Sequence, residues 1–450
     1  MMNPPALRRT AFFILLATMI TVNLLRFVNL ENVPRGFYID ELTGAVDAHC
    51  IATEGTDYSG KKWPLFGFGF GPKPPTQMYP LALWVKIFGV SIGSVRAFSA
   101  FAYTLGLLGI FLLARLLGGS ACAWLTLFAS SISPWGWMFS RIAFEGLLGT
   151  VFLVWGVFCF LRSRRWWDMV ITGFLMACAM YSYPAIRLEA PLIIFLLIGY
   201  QIKQKNISLR SWAVLLTVLT LCCIPLVYYT FKGPLLERFN QVSITSTTSS
   251  WKELPVTFIR NFLAHLGPKY LFMTGDNNYR HSTRHFGVLS WLDMLGLAAG
   301  LAQLIILLRK KRMPSHLVIF LLMAAAAGIV PAALTWEGIP HALRSLGSQP
   351  FTELLVGYSL AKAMDLWPQV LLAASVTGAI FAASFLTVYF RIYPAQSAQA
   401  FDPAVRVEAE HCKTEQDWVN FFLHHGNESI IFRYYIISHY HKPYSSWFFN

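Results

Sequence analysis

Long, almost uncharged apolar runs recur along this chain, and they limit its folds more than any other feature. Segments near the ~20 residues needed to cross bilayer hydrocarbon fall at about 10–30, 95–117, 120–139, 144–161, 168–183, 185–202, 211–230, 288–309, 316–335, 349–366 and 369–392. In hydrocarbon each segment must satisfy its own backbone N–H and C=O groups, so such runs become helices. The expectation is an all-α polytopic membrane protein with about eleven transmembrane helices. Composition agrees, because 56% of residues are hydrophobic and only 13% charged, against about a quarter charged in soluble domains. The first run is long for a signal peptide and no small-residue cleavage site follows, so it reads as a retained helix. The run "MYPLALWVKIFGV" (78–90) is too short to span and contains Lys86, which suits an interfacial helix.

The net charge of +14 comes from basic residues scattered between apolar runs rather than gathered in a stripe. That pattern fits basic cytoplasmic loops and contact with anionic membrane lipids, and it argues against nucleic-acid binding. Four short basic loops fix the orientation: Arg8–Arg9, "RSRR" (162–165), "KQKNISLR" (203–210) and "RKKR" (309–312). With a cytoplasmic N-terminus all four lie inside. The first outer loop (31–94), the second long outer loop (231–287) and a small C-terminal region (395–450) then lie outside, the last as an appended domain beyond a membrane domain of 1–394. Of the seven cysteines, five lie in apolar runs, where cysteine behaves as a small hydrophobe. Cys50 and Cys412 lie in polar segments; a bridge between them stays open, while zinc-type spacing and CxxC are both missing.

The polar clusters that apolar neighbours do not explain all fall on the outer side. They are the acid pair Asp40–Glu41, "KPPTQMYP" (73–80), "FSRIAFEG" (139–146), "YSYPAIRLE" (181–189), "GDNNYRHSTRH" (275–285) and "IPHALRS" (339–345). Each has an ordinary explanation. The acids suit the first turn of a helix. Arg141 and Arg187 could snorkel to headgroups, and Glu145 could pair with Arg141 four residues away. His341 and Arg344 could cap a helix end, Pro74–Pro75 could stiffen a turn, and "GDNN" reads as a turn. None of these explains why acids and arginines share one face. Arginine suits phosphate recognition through its rigid fork of donors, and a carboxylate beside such a cluster suits chemistry on an anionic lipid head. For a sugar on a polyprenyl phosphate, cations stabilise the leaving phosphate while a carboxylate acts as general base on the acceptor hydroxyl. One base and one phosphate clamp give a single displacement with inversion; retention would call for a second carboxylate as nucleophile.

The stretches "YIDELTGAVDAHCIATEGTDYSGKKWPLFG", "KPP", "SVRAFSAF", "ISPW…FSRIAFEG", "YSYPAIRLEAPL" and "HALRSLG" resemble bacterial and archaeal members of the glycosyltransferase-C superfamily. The nearest branch is that of the protein O-mannosyltransferases and the lipid A aminoarabinose transferase. The resemblance covers about residues 20 to 360 and leaves the tail uncovered; the acid pair is its most specific motif. It implies an enzyme of the cell membrane whose outward site moves a hexosyl or pentosyl group from a polyprenyl-phosphate donor to a lipid, protein or polysaccharide acceptor. It makes Asp40 the base, with Glu41 orienting it or helping bind the acceptor. It gives Lys73, Arg141, Arg187 and Arg344 to the donor phosphate and places Glu145, Tyr183 and His341 at the site. Asp276, His281 and His285 lie where some relatives hold acceptor or metal, so a divalent cation is compatible. Pro184 stands where the pattern leads one to expect a histidine. The competing classes are a secondary transporter, which keeps ionisable groups near the midplane and shows inverted repeats, and a lipid flippase. Neither calls for a one-sided cluster of acids and arginines.

Overall fold

The structure is a computed structural model that describes residues 4–401 except 68–71, 164, 205–208 and 248–249, together with 408, 411–414, 416, 417, 420 and 421. The described chain is helical throughout, with three isolated bridges as its only extended pairing. The helices run α1 (Pro4–Leu25), α2 (Ile39–Glu54), α3 (Pro75–Phe88), α4 (Ile92–Ile132), α5 (Pro134–Ser140), α6 (Glu145–Arg162), α7 (Trp166–Ser182), α8 (Pro184–Gln204) and α9 (Leu209–Lys232). They continue as α10 (Glu237–Val242), α11 (Leu254–His265), α12 (Trp291–Arg309), α13 (His316–Ala333), α14 (Ser348–Leu366), α15 (Val370–Thr387) and α16 (Tyr393–Gln396).

Eight helices among the described residues are long and apolar enough to cross a membrane. The all-α polytopic expectation therefore holds, while the count of about eleven does not carry over directly. The runs 95–117 and 120–139 lie on two helical stretches that meet end to end within Ile92–Ile132, written together as α4, and part at Gly119, where φ 80° and ψ −172° are not helical. A left-handed φ of that kind is open to glycine and costly for other residues. The run 168–183 became α7, only 17 residues long, and 349–366 became α14, whose Gln349, Glu353 and Lys362 lower its apolarity.

Helix ends follow the local chemistry. Ser91 accepts from the Ser94 amide at the start of α4, and Ser290 with Asp293 forms a reciprocal capping box on α12. Pro75 opens α3 at the position where a missing N–H costs nothing. This short helix does not span, as the sequence suggested.

α4 packs against α6 and α14, α6 against α7, α7 against α9, α8 against α13, and α1 against α15. α2 and α3 pack on each other and form a second apolar cluster, to which Cys50 and Cys412 both belong. No disulfide joins the two, so the open question of a bridge resolves to none. The expected C-terminal domain (395–450) lies largely outside the described residues.

Candidate functional site

The acid pair lies in the first turn of α2, as its helix-start reading required, but its two members have separate surroundings. Glu41 is fully buried. Its carboxylate accepts from Arg96 Nε at 3.0 Å and Nη2 at 2.9 Å, from the Ala143 amide at 3.0 Å and from the Tyr38 amide at 3.4 Å. Arg96 spends its remaining donors on the carbonyls of Leu30, Pro34 and Gly36. Asp40 is partly exposed, and its carboxylate has no hydrogen-bond partner among the described residues.

Lys73 reaches the same turn from the segment before α3. Its backbone pairs with Gly67, and its Nζ donates to the Asp40 carbonyl at 3.1 Å. Burial alone would pull this ammonium below the ordinary lysine value; the carboxylates of Glu145, Asp40 and Asp47 outweigh burial and hold it above. Two contacts seat α3 on the bundle. Gln77 donates to the Ala143 carbonyl at 2.8 Å, and Thr76 and Ser182 share a hydroxyl hydrogen bond at 2.8 Å. Glu145 opens α6 directly beyond that turn. Asp47, one helical step behind, is buried and accepts from the Tyr58 amide.

The third component comes from 275–285 and 339–345. Gly275, at φ 68°, starts a turn in which Asp276 accepts from the Asn278 amide at 2.8 Å, as the "GDNN" composition suggested. The other Asp276 oxygen accepts from His281 Nδ1 at 2.9 Å and from the Ala342 amide at 2.8 Å. The His281 and His341 rings lie 4.7 Å apart, centroid to centroid. His265 Nε2 accepts the His341 amide at 3.0 Å. Burial, reinforced by His281 and Arg344, pushes the His341 imidazolium well below the ordinary histidine value, so the ring is neutral. Asp276, His281 and His341 each offer a ligand atom, all within 4.8 Å of one another. His285 departs from this group: it is exposed and bonds Gln396 at 2.8 Å.

Aromatic contacts tie this cluster to the acid pair. The Arg280 guanidinium lies 3.9 Å over the Tyr38 ring, Tyr38 meets Phe144 edge-on at 6.0 Å, and Phe144 meets His281 at 6.3 Å. Tyr38 directly precedes α2. Arg280 donates its backbone N–H and its Nε to Asn278, and its terminal nitrogens have no partner among the described residues.

The arginines expected to grip a phosphate behave differently from one another. Arg141 is fully buried and gives its terminal nitrogens to the carbonyls of Leu25, Arg26, Val28 and Val33 and its Nε to the Tyr389 hydroxyl. It has no donor left for a ligand and does not pair with Glu145, because a non-helical turn separates α5 from α6. Both expectations for Arg141 are thus corrected: it clamps the chain between α1 and α2. Arg344 is largely engaged by Glu337 at 2.9 Å and by Thr335 at 3.0 Å. Arg187 donates Nε to the Met180 carbonyl, and its terminal nitrogens have no partner among the described residues. Tyr183 is the hinge between α7 and α8 and packs in the main core.

Residues 72–229 match the family model described as dolichyl-phosphate-mannose-protein mannosyltransferase. No curated protein sequence matches the chain. Among solved structures, ArnT from Cupriavidus metallidurans bound to undecaprenyl phosphate superposes with a TM-score of 0.53 at 15% identity, covering 94% of this chain and 74% of that one. The chain shares the fold of that structure. The oligosaccharyltransferase of Archaeoglobus fulgidus, tethered to an acceptor peptide containing the NVT sequon, gives a TM-score of 0.51 at 15% identity. That match covers 91% of this chain, which spans 59% of the length of the archaeal enzyme. A complex of the archaeal enzyme with Zn and sulfate gives 0.51 at 16% identity, covering 91% and 57%.

Sequence reasoning gave no role to Arg96, the partner of Glu41, or to His265, which holds the His341 loop. An arginine four residues into an apolar helix was the available signal for Arg96, because a charge there needs a buried partner.

Proposed function

We propose that the chain is a membrane glycosyltransferase that moves a hexosyl or pentosyl group from a polyprenyl-phosphate donor to an acceptor hydroxyl on the extracytoplasmic face. Asp40 is the general base, and the displacement is single and inverting. The observation that carries this reading is a partly exposed Asp40 carboxylate, without a hydrogen-bond partner among the described residues, beside a lysine held charged against the same helical turn. A base must be free to accept a proton from the acceptor, and the phosphate must meet cations whose charge is not already spent. Arg280 and Arg187, whose terminal nitrogens have no partner among the described residues, meet the second condition, while Lys73, buried among the carboxylates of Glu145, Asp40 and Asp47, steadies the Asp40 turn. Arg344 contributes by holding the 339–345 loop. Glu145 helps to hold the Lys73 ammonium charged.

The resemblance of the fold to an enzyme solved with undecaprenyl phosphate supports the donor class. The acceptor stays open among lipid, protein and polysaccharide. The orientation, with a cytoplasmic N-terminus in the cell membrane, belongs to this proposal and rests on the four basic loops.

The test is turnover of a synthetic polyprenyl-phosphate sugar by purified protein in lipid nanodiscs, with the anomeric configuration of the product read by NMR. Inverted product that depends on Asp40 is the expected result. Uptake or lipid flipping in liposomes without donor turnover would replace the reading with a transporter or flippase. A retained configuration would require a second carboxylate and would move attention to Glu145.

A further inference from the structure

We propose that Asp293 on α12 and Glu353 on α14 form a proton-binding site inside the bundle, with one proton held between two carboxyl groups. Three observations carry it. The first is register. α12 and α14 run side by side in the same direction, with Gly296 against Val356 and Gly300 against Ser359. Gln303 donates to the Ser359 carbonyl at 2.9 Å. Three residues back from Gly296 and from Val356, close to one helical turn on each helix, Asp293 stands opposite Glu353.

The second observation is a shortage of donors. Both side chains are fully buried. One Asp293 oxygen accepts from the Ser290 amide at 2.6 Å and from the Ser290 hydroxyl at 2.8 Å. Its other oxygen and both Glu353 oxygens have no hydrogen-bond partner among the described residues. Ser133, beside Glu353, reaches the Val288 carbonyl at 3.5 Å; turned toward Glu353, its hydroxyl would serve one of the three oxygens. Ionised carboxylates accept and cannot donate, and enclosing them without partners is costly. One proton supplies what is missing, because a protonated carboxyl group gives its O–H to the carboxylate facing it.

The third is that no basic side chain pairs with either acid among the described residues. α15 contains no titratable residue. α13 contains only His316, at the end away from Gly328, which packs on the start of α14. The other charged residues of α12 and α14 are Arg309, Lys362 and Asp365, each more than two turns further along. On α4, Tyr103 accepts from Gln349 at 3.0 Å and donates to the Ser130 carbonyl at 2.8 Å. Arg26 lies over that ring at 4.5 Å, with its terminal nitrogens on Gly136, Ser140 and Ser131.

α14 is the helix into which the 339–345 loop leads. Loss of the proton sets two negative charges against each other along the seam of α12 with that helix. Any effect on sugar transfer rests on the glycosyltransferase reading; the proton site does not.

The experiment treats the purified full-length protein at neutral pH with dicyclohexylcarbodiimide, an apolar reagent that adds to protonated carboxyl groups, and maps the adduct by peptide mass spectrometry. An adduct on Asp293 or Glu353 is expected. Infrared difference spectra against Glu353→Gln should show the loss of one protonated-carboxyl C=O band. The difference is needed because Glu189 is also buried without a partner among the described residues. The Glu353→Gln amide brings its own N–H donors, and Asp293→Asn is the second variant should the first not fold. A proton held by the folded chain and released on unfolding makes the unfolding constant rise about tenfold per pH unit, a share that Glu353→Gln removes. The absence of an adduct on both acids in the unmutated protein, or a C=O band unchanged by the substitutions, would overturn the site. A saturable rise in unfolding temperature with Na+ that either substitution abolishes would overturn it in favour of a bound cation.

Discussion

Asp40 and Glu41 carry the same charge in the same helical turn, yet they belong to two regions built on opposite terms. Glu41 faces a buried hub in which Arg26, Arg96 and Arg141 are fully enclosed. Apart from the Arg26 Nε, their guanidinium nitrogens are spent on acceptors that include carbonyls of the irregular chain between α1 and α2, of the end of α4 and of α5, and the groups lie over the faces of Tyr103, Trp137 and Tyr389. Asp40 faces the open side, where the terminal nitrogens of Arg280 have no partner among the described residues. The difference teaches that in a chain of this kind an arginine near the outer face can serve backbone as readily as substrate. Irregular backbone buried near a bilayer has carbonyls out of reach of water, and an arginine fork satisfies several at once. What separates the two uses is whether the terminal nitrogens already have acceptors.

The sharpest way to break this comparison is to neutralise each acid in turn. Asp40→Asn should lower sugar transfer by about 10² to 10⁴, the usual weight of a general base, and leave the thermal unfolding temperature in detergent unchanged. Full activity would return Asp40 to a helix-start role. Glu41→Gln should do the reverse in kind. It leaves the Arg96 charge enclosed without its counter-ion, a loss of about 3–5 kcal/mol for a broken buried pair. The expected readout is a lower unfolding temperature and poor recovery of monodisperse protein. A stable Glu41→Gln protein without activity would put Glu41 in the chemistry and dissolve the division.

A smaller effect tests the open side against the hub among the cations. Arg280→Ala should cost roughly 10² to 10³ in donor turnover, as for one lost oxyanion contact. Arg280→Lys should fall between, because it keeps the charge and loses the planar fork. Arg141→Lys should instead lower stability, since one ammonium cannot reach five acceptors. If Arg141→Lys lost turnover at unchanged stability, the phosphate reading of Arg141 would be restored.

The smallest effect concerns pH. Lys73 is held above the ordinary lysine value in the folded protein. A group raised in this way contributes stability that is fully present below its unfolded pKa and is lost only as pH rises through the higher folded value. Its contribution should thus be flat from pH 6 to 9. An alkaline loss in that window that disappears in Lys73→Met would show the ammonium to be less firmly held.

Much of the fold was legible in the sequence because the bilayer leaves so few options. A run of about 20 apolar residues must be a helix wherever it lies, and so the all-α architecture, the short helix α3 and the turn at Gly275 were readable from local pattern. The span count was less secure, because the run at α7 makes a helix of only 17 residues and the run at α14 carries Gln349, Glu353 and Lys362. The sequence also marked Asp40, Lys73, Asp276, His281 and His341 as residues of interest, since polar groups beside apolar spans need a reason. Only the tertiary structure decided which of them are free. Glu41 is taken by an arginine 55 residues away, Arg141 by carbonyls more than 100 residues away, and His341 replaces His285 beside Asp276. Whether a charge is available depends on partners that packing brings in from distant segments, and no local spacing encodes that.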